Sequence, residues 1–204
     1  MKEYLMEFIG TMFLVLAIAF SQNPLAIGLM LMVMVYMGGH ISGGHYNPAV
    51  TLAVFMRGKI ESKFVTGYMI SQILGAFTAA LIFYIVSSNS FYPSPAEEFA
   101  IWQTILLELI FTFALCSVVL AVATSEKMAG NYIYGLAIGL TVTASAFSVG
   151  DITGGAFNPA VYLGPMLMDT FTGGSSISYI VLYLVGPFAG GALAAVVYKI
   201  LNSN

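Results

Sequence analysis

The chain has 204 residues, of which 59% are hydrophobic and 7% charged, with a net charge of -3. An ordinary soluble domain carries about 25% charged residues, so this composition excludes water as the solvent for most of the surface. It also excludes a nucleic-acid partner, because no run of Lys or Arg forms the clustered basic surface that phosphate binding needs. Cys116 is the single cysteine, which rules out an intrachain disulfide or a thiolate metal cluster.

Taken in chain order, apolar stretches long enough to cross a bilayer fall at 4–20, 25–40, 63–86, 99–123, 130–148 and 177–200, since a spanning helix needs about 20 largely apolar residues. The first could pass for a signal peptide after Lys2, but Glu7 interrupts it early and no small-residue cleavage site follows, so it is read as a mature helix. Two shorter apolar runs remain, 48–56 and 159–168. At 1.5 Å per residue each makes a helix of about 15 Å, half of a hydrocarbon core of about 30 Å. The fold expected is therefore an all-α membrane protein of six spanning helices plus two re-entrant half-helices.

The positive charges test this layout independently. Lys2, Arg57, Lys59, Lys63, Lys127 and Lys199 all fall on one side, while the loops near 21–24, 87–98 and 149–176 hold no Lys or Arg. The positive-inside rule then puts both termini in the cytoplasm. The expectation is a multi-pass protein of the plasma membrane or another cellular membrane.

Shifting the sequence by 111 residues aligns 25–50 with 136–161 without a gap, and 13 of the 26 pairs are identical. Each unit, approximately 1–90 and 99–204, contains three spans. An odd number places the second unit upside down, giving one channel-like domain built as an inverted repeat, whose interrupted segments point to a substrate path near the midplane.

Asn47-Pro48-Ala49 and Asn158-Pro159-Ala160 open the two half-segments. Asn is a favoured N-cap and Pro a favoured first helical residue, so each half-helix begins at its Asn and inversion brings both starts to mid-membrane. There the carboxamides cap their own helices and present NH2 donors, and the two helix N-termini, each about half a positive charge, repel cations and protons. One copy of Asn-Pro-Ala would be an ordinary helix start; two in register within an inverted repeat are not. Gly43, Gly44 and Gly154, Gly155 supply backbone freedom before each motif. Irregular backbone at membrane depth is tolerated where it is covered by protein or lines a wet cavity, which makes Gly43, Gly44, Gly154 and His45 candidate pore-lining residues.

Glu7 and Glu108 sit inside the first span of each unit. A carboxylate there faces the bundle interior with partners; the favoured role is support of the re-entrant loop backbone, the other being proton or ion coupling. His40 reads as structural, and neither His has a metal-ligand partner at usable spacing. No metal, cofactor or catalytic constellation is expected.

Gly39-His40-Ile41-Ser42-Gly43-Gly44-His45-Tyr46-Asn47-Pro48-Ala49-Val50-Thr51 and Thr153-Gly154-Gly155-Ala156-Phe157-Asn158-Pro159-Ala160 resemble the aquaporin, or major intrinsic protein, family, and Val185-Gly186-Pro187-Phe188 with Gly190-Gly191-Ala192 looks like its sixth helix. The resemblance covers essentially the whole chain. It implies a homotetramer with one pore per subunit, passing water or small uncharged solutes passively.

The resemblance also implies an outer selectivity filter at Ile27, Ala146, Gly155 and Val161. Most members carry Arg where this chain has Val161, although some plant vacuolar members also have Val. An Arg supplies charge and fork-like donors; the four residues here bear no side-chain donor. The expectation is a wider, less polar mouth admitting ammonia, urea and hydrogen peroxide, with glycerol the marginal case because Tyr162 stands where glycerol-conducting members usually have Asp. The alternatives are an ion-coupled secondary transporter of a small solute, and a water-selective or closed aquaporin-like protein.

Overall fold

Asn-Pro occurs at Asn23, Asn47 and Asn158, and each pair starts a helix. In every case the Asn backbone is extended and its side chain accepts from the first turn: Asn23 Oδ1 from Leu25 N at 2.9 Å, Asn47 Oδ1 from Ala49 N at 2.8 Å, Asn158 Oδ1 from Ala160 N at 2.9 Å. The proline then occupies the first turn, where a missing N–H costs nothing.

The computed structural model describes residues 1–203. Its helices are α1 (Lys2–Ser21), α2 (Pro24–Ser42), α3 (Pro48–Met56), α4 (Ser62–Ser87), α5 (Ile101–Thr124), α6 (Tyr134–Thr153), α7 (Pro159–Phe171) and α8 (Ile180–Leu201), with 3-10 turns at Glu126–Met128 and Ser176–Tyr179. The six helices other than α3 and α7 are long and apolar enough to cross a membrane. Their outer faces are apolar: Leu25, Leu29, Val33, Ile70, Leu74, Leu106, Ile110, Leu193 and Val196 all point outward, which is stable only in lipid.

Packing repeats between the halves. α1 lies on α4 and α5 lies on α8, while α2 and α6 cross each other at the pseudo-symmetry position. The crossings are close because they are made at glycine. A Cβ on Gly75 would collide with the Phe8 carbonyl of α1, and one on Gly190 with the equivalent Leu109 carbonyl of α5. Small residues are what allow membrane helices to approach in this way.

The half-helices are held by the opposite half: α3 packs on α8 and α7 packs on α4. A Cβ at Gly191 of α8 would sit 2.6 Å from the Ala49 carbonyl of α3, and one at Gly164 of α7 would meet Ala76 of α4. The motif-bearing segments therefore clamp the two units together at the centre. The architecture is six spans plus two re-entrant half-helices, arranged as an inverted repeat.

Three boundaries differ from the sequence expectation. α6 begins at Tyr134 because Gly130, at φ 78°, and Asn131, whose Nδ2 donates to the Val122 and Met128 carbonyls, form a turn. It runs on to Thr153 through Gly150 and Asp151, which resemble loop residues. α7 extends to Phe171, three residues past the apolar run, because the Asp169 carboxylate is satisfied by Ser90 and Ser176.

Candidate conducting pore

Both re-entrant loops have one backbone design. Gly43, Gly44 and Tyr46 lie at φ 91°, 64° and 49°, and Gly154, Gly155 and Phe157 at 81°, 62° and 47°. Two of the three left-handed positions in each loop are glycine; the third is aromatic and pays for a conformation that bulky residues avoid.

The carboxylates of α1 and α5 hold that strain in place. Glu7 and Glu108 are both 0% exposed. Glu7 Oε1 accepts from Ser42 Oγ at 2.6 Å and His45 N at 2.9 Å, and Oε2 from Tyr46 N and Gln72 Nε2, both at 2.7 Å. Glu108 Oε1 accepts from Thr153 Oγ1 at 2.8 Å and Ala156 N at 3.1 Å, and Oε2 from Phe157 N at 2.7 Å. Each carboxylate is thus surrounded by donors, those of its own loop and, at Glu7, also Gln72 of α4, the condition under which it tolerates burial.

At the centre the two loops are joined directly. Asn47 Nδ2 donates to the Phe157 carbonyl and Asn158 Nδ2 to the Tyr46 carbonyl, both at 2.9 Å. Each carboxamide has two N–H groups. One is consumed by the opposite loop and one is left for the lumen, so the donor supply at the midplane is half of what free carboxamides would give.

A cavity of about 390 Å³ opens on the face that carries no Lys or Arg, which we call the base-free face. It descends past Ile27, Ala146, Gly155 and Val161 to Asn47 and Asn158, and reaches Gly44 and His45; Gly154 lies on the same wall. A second cavity, of about 520 Å³, opens on the basic face beside Lys59 and Glu61 and is lined by Gly43 and His45. His45 and Val119 border both, so the two cavities meet from opposite faces at these residues. Pro48, Ala49, Pro159 and Ala160 are buried in the half-helix starts behind them. His40, by contrast, is exposed at the end of α2.

The imidazole of His45 is fixed from behind the path. Its Nδ1 lies 3.1 Å from Thr51 Oγ1, which also accepts from Gln72 Nε2 at 3.0 Å, and its ring meets Tyr68 edge-on at 5.3 Å. The second half has no counterpart of this cluster: Tyr162 replaces Thr51 under the 111-residue shift. Tyr162 turns away from the lumen, stacks on Tyr183 with ring centroids 4.6 Å apart, and donates to the Ser176 carbonyl at 2.6 Å.

Several positioning residues carried no signal in the repeat. Tyr68 donates to the Ser42 carbonyl and Tyr183 to that of Thr153, an equivalent pair 115 residues apart rather than 111. A search at both offsets would have paired them. Phe91, Tyr92, Pro93 and Ser94 line the base-free mouth; nothing in their sequence marks them.

Residues 1–198 match the Major intrinsic protein family. The chain belongs to that family. It is similar to a probable aquaporin NIP-type of Nicotiana alata, at 33% identity over 100% of this chain and 79% of that protein. Aquaporin AqpM of Methanothermobacter thermautotrophicus is 35% identical over 88% of the chain and 76% of its own length. The glycerol uptake facilitator protein-like 6 of Lactiplantibacillus plantarum is 32% identical with full coverage of both. The crystal structure of the aquaglyceroporin from Plasmodium falciparum superimposes with a TM-score of 0.88 at 24% identity, covering 98% of this chain and 96% of that one. As a major intrinsic protein the chain is an integral, multi-pass membrane channel that acts passively, and it is not an enzyme.

Proposed function

We propose that this channel passes water together with ammonia, urea and hydrogen peroxide, with glycerol the marginal solute, through a filter formed by Ile27, Ala146, Gly155 and Val161. The observation that carries the reading is the chemistry of these four positions, which border one cavity and bear no side-chain donor or charge. Selecting water against slightly larger neutral solutes requires a narrow ring with fixed polar groups. An aliphatic ring without a guanidinium leaves solute size as the main criterion. The full-length similarity to a protein named as a glycerol uptake facilitator supports keeping glycerol within range.

Ion exclusion is assigned to the N-termini of α3 and α7, which meet at Asn47 and Asn158 and present partial positive charge where a cation would be least hydrated. Glu7 and Glu108 are loop supports in this reading, since their oxygens are occupied by loop and side-chain donors. The basic face is the cytoplasmic one, with both termini there, and the assembly is a homotetramer with one path per subunit.

Stopped-flow light scattering of proteoliposomes against water, urea, glycerol and ammonia, with a proton-leak control, tests the proposal. Fluxes of urea and ammonia above protein-free vesicles are expected. Swelling with water alone would overturn the broad filter and leave a water-selective channel.

A further inference from the structure

The link between α4 and α5 is the one long connection whose residues enter the path, and it is not free to move away from it. Three ties fix it. Phe91 packs edge-on against Phe83 of α4 with centroids 5.1 Å apart, and Phe83 in turn meets Phe20 of α1 at 5.1 Å. Ala96 N donates to the Ile152 carbonyl of α6 at 3.0 Å. Ser90 Oγ donates to Asp169 Oδ1 of α7 at 2.7 Å.

Between these ties, Tyr92, Pro93 and Ser94 face the cavity. The Ser94 backbone lies directly on the second re-entrant loop: a Cβ added to Gly154 would stand 2.6 Å from Ser94 N and 2.8 Å from Ser94 O. Gly154 adjoins Gly155, one of the four filter positions. Where no arginine fills the mouth, a backbone segment in contact with the filter loop can set its width.

Asp169 is placed to hold that segment. Its side chain is 4% exposed and does not line the path. Oδ1 takes the Ser90 hydroxyl and Oδ2 takes Ser176 N at 3.1 Å, so one carboxylate joins the α4–α5 link to the α7–α8 link. The carboxylate packs directly against Gly174, in the space that a Cβ there would fill. Hydrogen bonds to an ionised acceptor are the stronger kind, and α7 carries the second motif at its other end.

We propose that Asp169 is the positioning residue of the wall formed by residues 90–96: through Ser90 it holds this segment against the second re-entrant loop and so sets how solutes larger than water are admitted. The inference rests on the pore reading given above. Releasing the wall widens the mouth, which favours urea and glycerol over water.

Two measurements on the full chain in proteoliposomes test it. In the first, Ser90→Ala and Asp169→Ala each raise the urea-to-water permeability ratio by about threefold, an effect on the barrier that does not depend on how much protein is folded. The double variant adds little to Asp169→Ala because both single changes remove the Ser90–Asp169 bond, and Ser90→Thr, which keeps the hydroxyl, restores the parent ratio. Equal losses of water and urea flux, or an unchanged ratio, would show a merely structural contact and overturn the proposal. In the second, Ser94→Cys is labelled with a membrane-impermeant thiol reagent, buried Cys116 giving little background. Labelling is expected to block flux and to proceed about threefold faster in the Ser90→Ala background, with the rate read by mass spectrometry. An unchanged rate overturns the latch whether or not urea passes, whereas absence of urea flux in the parent protein alone strikes only the broad filter.

Discussion

Asn47 donates through Nδ2 to the carbonyl of Phe157, across the pseudo-symmetry axis, at 2.9 Å. The same side chain caps α3 through Oδ1. One carboxamide therefore performs two tasks of opposite polarity, and Asn158 mirrors it toward Ala160 and Tyr46. A residue with only an acceptor, or with neither function, separates them.

Asn47→Asp keeps the cap and loses the donor, leaving two acceptors facing at the former hydrogen bond and a negative charge at the midplane. Loss of the lock is expected to cost about 1–3 kcal/mol, and proton leak, followed with a pH-sensitive dye in proteoliposomes, should rise. Asn23→Ala is the control: Asn23 is exposed and its side chain accepts from Leu25 N and Ala26 N of its own helix, so it should cost about 1 kcal/mol with no leak. Equal leak in both variants would remove the midplane barrier from Asn47.

Glu7 collects one more donor than Glu108, namely Gln72 Nε2. In either variant the new NH2 is opposed by one backbone N–H, that of His45 or Tyr46 in Glu7→Gln and that of Ala156 or Phe157 in Glu108→Gln, but Glu7→Gln also gives up the charge-assisted bond from Gln72, which Glu108 does not have. Both are destabilising, Glu7→Gln by about 3 kcal/mol and Glu108→Gln by less. Thermal stability in detergent, followed by size-exclusion, orders them. A larger loss at Glu108 would contradict the donor count.

The parts of this design readable in the sequence are those written by solvation and by local backbone chemistry. Length and polarity mark the six spans because lipid cannot solvate a peptide group, and Asn-Pro marks α3 and α7 because the cap is local. Tertiary terms hide the rest. Asp169 reads as the end of an apolar run, yet α7 passes through it because Ser90, from a link 79 residues earlier, satisfies it. Asp151 reads as a loop, but α6 continues to a Gly154 cap with Asp151 in the open mouth. Nothing in Phe91-Tyr92-Pro93-Ser94 signals a wall of the path, since its position is set by partners on α4, α6 and α7.

Cys116 is fully buried in the helical core and does not border either cavity. Gly155, at the proposed filter, offers no thiol. Mercurials are therefore expected to leave water flux unchanged in brief exposures, in the parent protein and in Cys116→Ser alike. Rapid inhibition that disappears in Cys116→Ser would mean that the core opens to the reagent on the timescale of the assay.

Val161 follows directly on the second motif, is 2% exposed and borders the same cavity as Ile27. Its position on the first turn of α7 directs a longer side chain along the path rather than into lipid. Val161→Arg adds about four heavy atoms, a fixed charge and a fork of donors to a ring that has none. Urea and glycerol must strip more water and pass a smaller opening than before, while a water molecule can exchange its hydrogen bonds for those of the guanidinium. The urea-to-water permeability ratio is expected to fall by about tenfold, a barrier difference of about 1.4 kcal/mol, with water flux retained. Because the longer side chain must fit beside Ile27 and the second re-entrant loop, the variant can also change how much folded protein is recovered, so the ratio rather than the absolute flux is the deciding quantity. An unchanged ratio would take Val161 out of the filter.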